Sequence, residues 1–497
     1  MMDATRLEGR LTGLGAVALV ALVALVEGCT VGSGGDGLSA EDGNPTDSLG
    51  TFGTMSATDG ASTIGTQGQD DDTGYKFDVE QDTELETATD GGPVLGSCRQ
   101  SEEYGAAGGY PAFTDPAYAD FLDRQVLLMT SYSYQGTDPE LRVIDISGDP
   151  PPPNAWYDAP IYTNPAWSSQ AFGGGIFGLT LDSQGNVYVA SASVYSGNTT
   201  TPGTIYKIDK DTAEVSVFAT LPNDGPALGN INYDCVSETI YASNHEDCRI
   251  YQLDMNGDVV STYHHGTGDV TMGLANDPGE PNGVFCPLGD RVWAVQSHYG
   301  RLYYSVWWED SGRHDDAHDN EIWSVAYVDP SGVPDPGTAE LVAPIPGLGG
   351  NTYSNPVSDI SFAASGWMLV SERTMTNDAS TSAHQSTTFE LQQMGNGVWQ
   401  VVGETYVVGE LPNSAAGGVD HDFEDDGRVW MTGDALDFYT PDVVYGVQGT
   451  PYGGGTIDNS TLIDHDSEVT SQDKTALGDC EIPIPGDAMP PPPPPQG

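Results

Sequence analysis

Residues 176–191 read IFGLTLDSQGNVYVAS, and this stretch decides the fold. Two apolar runs flank Asp182-Ser183-Gln184-Gly185-Asn186, a set of residues that favours turns. Each run alternates and is rich in Val, Ile, Tyr and Thr, so the stretch predicts a β-hairpin. The phrase returns as GNINYDCVSETIYAS (229–243), DRVWAVQSHYGRLYYSVW (290–307), SDISFAASGWMLVSE (358–372) and GVDHDFEDDGRVWMTG (418–433). A third run follows each hairpin: GTIYKID (203–209), CRIYQLD (248–254), EIWSVAYV (321–328), TFELQQ (388–393) and VVYGVQ (443–448). A fourth often follows: EVSVFATL (214–221), VVSTYHH (259–265), ELVAPIP (340–346) and WQVVGETY (399–406). The hairpins begin near 176, 230, 290, 358 and 418. Four strands per unit at a period of roughly 55–70 residues is the pattern of propeller blades. A β-sandwich would not repeat one hairpin phrase five times.

Three more runs precede Ile176: QVLLMTSYSY (125–134), LRVIDIS (141–147) and AWYDAPIY (155–162). That set lacks an innermost strand. LGDCEI (477–482) reads like the opening of the 358–372 phrase and supplies one. The expected fold is therefore all-β: a six-bladed β-propeller over residues 98–483, closed by a C-terminal strand. Such closure removes the exposed sheet edges of an open array.

Composition agrees. The chain has 497 residues and is 38% hydrophobic even without counting glycine, enough for a large core. Gly (63) and Pro (34) make up about a fifth, which fits a turn-rich fold. Fifteen Lys and Arg face 73 Asp and Glu, a formal charge of −58. A chain so acidic is repelled by nucleic acid and by anionic membrane surfaces, so no nucleic-acid partner is expected.

The ends carry the address. Arg6 and Arg10 precede an uncharged stretch, Leu11 to Val26, short for a membrane span and suited to a signal-peptide core. Residues 30–97 hold 14 acidic residues and one basic residue, Lys76, with few apolar ones and no period. Such a segment builds no core to offset ordering entropy, so 29–97 is expected to be a disordered acidic tether. Residues 484–497 end in MPPPPPPQG, a proline-rich tail.

Val26-Glu27-Gly28-Cys29 resembles the bacterial lipobox, although Glu27 is unusual two positions before the cysteine. The resemblance implies a lipoprotein signal peptide over 1–28 and lipidation of Cys29. Thr30 is not the Asp that retains such lipoproteins in the inner membrane, so the outer membrane or cell surface is favoured. Five cysteines then remain, and an odd number leaves at least one free thiol. Cys98 and Cys480 bracket the folded region, and a disulfide between them would close the ring. Cys235, Cys248 and Cys286 suit small core positions or a bridge.

The phrase LTLDSQGNVYVAS resembles blades of the NHL and gluconolactonase-like six-bladed propellers. GPALGNINYD, SNHEDCRIYQLDMNG, SAHQS, NSAAGGVDHDF, VWMTGDAL, YGVQGTP and ALGDCEI resemble the propeller of large bacterial surface proteins, often placed ahead of SdrD-type B-repeats. Here a polyproline stretch, residues 489–497, follows the expected propeller instead. The tether behind the lipobox resembles those of marine myxobacterial lipoproteins. These resemblances imply an extracytoplasmic propeller without an established activity.

Asn230, Asp359, Asp420 and Asp479 fall at similar places near the starts of innermost strands. The gluconolactonase-like resemblance implies that such residues would converge on a channel Ca²⁺; otherwise they cap strand ends and order water. His314-Asp315-Asp316-Ala317-His318-Asp319, Asp420-His421-Asp422 and Asp464-His465-Asp466 have metal-ligand residue types but read better as acidic loops. Asp182 and Asp254 open EF-hand-like turns that lack the closing Glu. GxSxG, HExxH and P-loop motifs do not occur. The expectation is a monomeric, lipid-anchored propeller that binds an unidentified protein, glycan or small molecule. The alternative is a Ca²⁺-dependent, lactonase-like hydrolase with its site in the channel.

Overall fold

The computed structural model describes residues 108–483 except 134–135, 149–155, 196, 198, 310–317, 348–352, 364–365, 395–397, 403–405, 423–426, 439–442 and 470–475. The expected signal peptide, Cys29, the tether, Cys98 and the proline-rich tail lie outside the described residues. So do His314 to Ala317.

Six antiparallel sheets follow one another along the chain. Blade 1 uses β1 (Val126–Ser131), β2 (Leu141–Asp145) and β4 (Ile161–Tyr162). Blade 2 is β5 (Ile176–Leu181), β6 (Val187–Ser191), β7 (Thr204–Ile208) and β8 (Val215–Thr220). Blade 3 is β9 (Leu228–Asp234), β10 (Thr239–Asn244), β11 (Arg249–Asp254) and β12 (Val259–His264), with a fifth strand, β13 (Asp269–Met272). Blade 4 is β14 (Val292–His298), β15 (Arg301–Val306), β16 (Asn320–Ala326) and β17 (Glu340–Ile345). Blade 5 is β18 (Val357–Phe362), β19 (Met368–Glu372), β22 (Thr388–Gln393) and β23 (Trp399–Val401); between β19 and β22 it carries a small hairpin, β20 (Met375–Asn377) and β21 (Ser380–Thr381). Blade 6 is β24 (Ala415–His421), β25 (Arg428–Asp437), β26 (Val444–Pro451) and β27 (Thr461–Asp464).

The hairpin expected at 176–191 forms in register. Leu181 faces Val187 and Leu179 faces Val189 across the Asp182–Asn186 turn. Innermost strands are buried along their whole length, because neighbouring blades cover both of their faces. Outermost strands such as β8 stay half exposed. One hydrophobic cluster fills each joint between blades. Ile205 and Ile240 meet at the joint of blades 2 and 3, and Ile322 and Val370 at that of blades 4 and 5.

The ring closes at blades 1 and 6, twice. β28 (Leu477–Glu481) leaves blade 6 and becomes the innermost strand of blade 1, antiparallel to β1, with Met129 facing Cys480. In return β3 (Trp156–Tyr157) leaves blade 1 and adds a parallel fifth strand to blade 6, with Ile463 facing Tyr157. The expected C-terminal closing strand is therefore present. The run 155–162 is not one strand as expected. Asp158-Ala159-Pro160 interrupts it, and Pro160 has no N–H to continue a ladder.

The expected Cys98–Cys480 disulfide is corrected: Cys480 is a free, fully buried thiol. It packs against Trp430, Leu477 and Ile482 in the core between blades 6 and 1, where a small apolar residue fits. The disulfide observed joins Cys248 and Cys286, with Cα atoms 5.5 Å apart. Cys235 is also disulfide-bonded.

Candidate functional site along the ring axis

An innermost strand has a ladder partner on one side only. Its other edge faces the axis and presents N–H groups that need acceptors. The sequence supplies them from side chains. Asp479 Oδ2 in blade 1 accepts the N–H of Leu179 in blade 2 at 3.0 Å. Thr180 Oγ1 in blade 2 accepts that of Tyr233 in blade 3, also at 3.0 Å. Asn232 Oδ1 in blade 3 accepts that of Ser297 in blade 4 at 2.8 Å. Asp359 Oδ2 in blade 5 accepts that of Val419 in blade 6 at 2.7 Å. Asp420 Oδ2 in blade 6 accepts that of Ile482, just past β28, at 2.7 Å. At five of the six joints a polar side chain thus accepts an N–H of the next blade, and at the joint of blades 4 and 5 Ser305 Oγ instead donates to Val357 O at 2.7 Å.

Of the four residues expected to converge, Asn230 and Asp359 are bonded to each other: Asn230 Nδ2 donates to Asp359 Oδ1 at 3.1 Å. The negative charge of Asp359 also bears on the buried carboxyl of Asp479. Asp420 stands apart, taking the Ser361 hydroxyl at 2.8 Å and the Ile482 N–H. Glycines make room beside the cluster. A Cβ at Gly178 would lie 2.9 Å from Asn230 Cα, and one at Gly418 would lie 2.6 Å from the Cys480 N. Burial raises both cluster carboxyls: Asp359 is pushed up to about 7, and Asp479 also stands well above the usual carboxylate range.

This donor set does not fit Ca²⁺, which wants six to eight oxygens free to turn toward it. Asp359 Oδ1 already accepts Asn230 Nδ2 and the Ile360 N–H. Asn230 presents its NH₂ to the cluster and turns its oxygen to the Ile231 N–H.

The axis is covered where the innermost strands begin. Phe177, Trp293, Trp307, Tyr195 and Met375 form a buried cluster drawn from blades 2, 4 and 5. Phe177 meets Trp293 edge to face, with centroids 5.4 Å apart. The β20–β21 hairpin reaches from blade 5 over this cluster to blade 2, where the Thr381 N–H donates to Val194 O at 3.0 Å. Arg291 Nη1 pairs with Asp378 at the hairpin's tip at 2.6 Å, and its guanidinium lies 4.7 Å from the Trp307 ring centroid. Cys286 O accepts from Arg291 Nε, so the disulfide steadies this corner. His245, fully buried 5.1 Å from Trp293, is held neutral: burial, with Arg291 beside it, pushes its pKa down to about 3.

Asp464, His465 and Asp466 bring one ligand atom each within 4.8 Å of one another. The Asp464 oxygens accept the N–H groups of Tyr445, Asp466 and Glu468, and His465 Nδ1 lies 3.0 Å from Tyr445 O. Asp422 accepts from the Arg428 N–H and Trp430 Nε1 and so closes a hairpin. Asp182 and Asp254 do the same, as read from sequence. His318 lies against Trp308.

Sequence reasoning missed Thr180, Asn232, Arg291 and Asp378. The first two are ordinary polar residues in strands, and their partners are backbone groups that no motif records. The last two come from loops 87 residues apart.

The fold defines a six-bladed β-propeller with a bonded axis and a covered mouth. No protein-family profile matches the chain, and no curated protein matches it. Among solved structures it is similar to a chain of the nidogen/laminin complex (14% identity, TM-score 0.41, covering 73% of this chain and 99% of that one). It is also similar to a Bacteroides uniformis protein provisionally assigned as a 6-phosphogluconolactonase (11%, 0.37, 71% and 99%) and to one provisionally assigned as a gluconolactonase (13%, 0.32, 58% and 77%).

Proposed function

We propose that the protein is a lipid-anchored, extracytoplasmic propeller that acts as a binding or scaffold protein. The observation that carries this reading is the occupied axis. Asp359, Asp420 and Asp479 each accept an N–H from the neighbouring blade, and aromatic side chains fill the mouth beneath a hairpin. Recognition of a protein, glycan or small molecule then belongs to the loops and the outer surface. Cys29 would hold the chain to the outer membrane or cell surface, and residues 29–97 would set the propeller away from it. The alternative, a lactonase-like hydrolase, requires a cation at donors that do not fit one.

Two measurements test this. Wild type should partition with membranes and carry fatty acid, whereas Cys29→Ala should do neither. Purified protein should hold no stoichiometric calcium and open no lactone ring. About one calcium per chain, together with lactone hydrolysis lost in Asp359→Ala, would put the hydrolase in place of the binding protein.

A further inference from the structure

Tyr299, Val328, Trp367, Met394 and Val398 lie in turns at one end of the ring. Tyr299 follows β14 and Trp367 precedes β19, each in the turn that joins an innermost strand to its neighbour. Val328 follows β16, and Met394 and Val398 close the turn from β22 to β23, the Met394 N–H donating to Val398 O at 2.8 Å. Trp367 is 37% exposed and the other four are 45 to 62% exposed. Printed contacts link them across two blades. His298 of blade 4 stacks on Phe362 of blade 5 with centroids 3.8 Å apart, and its ring lies 4.4 Å from that of Tyr299. Trp367 O accepts the N–H of Ala363, next to Phe362, at 2.8 Å. Gly300 O accepts the Tyr327 N–H at 3.0 Å, which seats Val328 beside the Tyr299 turn. Met368 faces Leu391 across the ladder of β19 and β22, which sets the Met394 turn beside that of Trp367. The ends of blades 4 and 5 thus form an apolar ledge with two aromatic residues. The same turn in blade 2 is the polar Asp182–Asn186.

The chain's own C-terminus leaves the ring at this end. His298 and Phe362 end β14 and β18. Ile482 follows the end of β28 and is bonded to Asp420, near the end of β24. The described residues stop at Pro483, one position further on. Residues 484–497 follow, and six of them, Pro490 to Pro495, are consecutive prolines. Such a run is already in the polyproline II conformation, so docking costs it little ordering entropy, and aromatic-lined surfaces recognise it. At about 3.1 Å per residue the segment reaches about 43 Å. That is ample across an axis narrow enough for Asn230 of blade 3 to bond Asp359 of blade 5. The prolines carry no charge, so a chain of formal charge −58 does not repel them as it would an acidic partner.

We propose that the proline-rich tail, residues 489–497, folds back onto this ledge and lays its prolines against Tyr299 and Trp367. The ledge is then a surface for polyproline II segments, and the tail is its built-in occupant. A proline-rich segment of another molecule gains the ledge only by displacing it.

The test compares the full chain with one ending at Pro483, using a synthetic peptide of residues 489–497 as the probe. Removing the tail should raise deuterium uptake at 298–301 and 363–368 at least about threefold and leave β9 to β12 unchanged. The peptide should bind the shortened chain saturably, read by tryptophan fluorescence. A tail on so short a tether has an effective concentration of about 1 mM. If the peptide binds the shortened chain with a dissociation constant of about 0.1 mM, it should bind the full chain about tenfold more weakly. Trp367→Ala in the shortened chain should weaken the peptide at least about tenfold, read by calorimetry. Should that variant not fold, Tyr299→Ser serves, since its side chain is also exposed and is read the same way. Equal uptake with and without the tail, equal peptide affinity for both chains, or binding unchanged in a folded variant overturns the proposal. A full chain that sediments as a dimer and a shortened chain that sediments as a monomer would place the tail on a second copy and overturn it too.

Discussion

Cys480 and Gly418 show how little slack the axis has. A Cβ on Gly418 would stand 2.6 Å from the Cys480 N and 2.9 Å from Asp479 C, both backbone atoms that cannot turn aside. Gly418→Ala should therefore cost about 2–3 kcal/mol, read as a lowered urea midpoint at unchanged slope. Cys480→Ala removes one buried sulfur and should cost only about 1–2 kcal/mol. The disulfide that does form spans 38 residues and pins the loop before β14. Replacing Cys248 and Cys286 by Ala should cost at most about 4 kcal/mol by the chain-entropy model. The rise in amide exchange should appear around Cys286 and leave β28 protected.

Strands were the most legible elements. Five hairpins and the C-terminal donor strand stand in the text because inner strands are apolar runs ended by Asp, Gly and Asn turns. The second closure was not legible. Trp156-Tyr157 reads as part of a run with Ile161-Tyr162, and only the folded seam shows that the first pair belongs to blade 6. The positions of Asn230, Asp359 and Asp479 were legible from their shared register, but their chemistry was not. A carboxylate that binds a cation and one that accepts a backbone N–H look alike in a string of letters, and the deciding partner lies 60 residues away for Asp359 and 300 for Asp479. The closure makes an element-scale prediction. A chain ending at Thr475 lacks β28 and leaves β1 with an open, apolar edge, so it should aggregate and lose a single cooperative transition in calorimetry. A chain ending at Pro483 should retain it.

Across the whole molecule, buried carboxyls set the response to pH. Burial holds Glu140 up to about 8 and Asp464 and Asp359 up to about 7, and raises Glu372 and Asp479 as well. Each binds a proton when folded that it releases when unfolded, so its contribution is lost as pH climbs from about 4 through these values. Buried histidines act in the opposite direction, His245 and His465 being pushed down to about 3, but above about pH 6.5 they are neutral in both states. The melting temperature should therefore fall by at least about 5 °C between pH 6.5 and 9 in scanning calorimetry. A formal charge of −58 adds self-repulsion, so raising salt from about 0.1 to 1 M should raise the melting temperature at fixed pH. The closing strand has one more consequence, which concerns time. Thr130 and Asp479 meet across 349 residues. At a synthesis rate of about 5–20 residues per second, blade 1 waits roughly 20–70 s for its innermost strand. Throughout that interval the nascent chain presents an unfinished sheet, a natural place for a holding chaperone to act, and the ring becomes whole only when its last strand arrives.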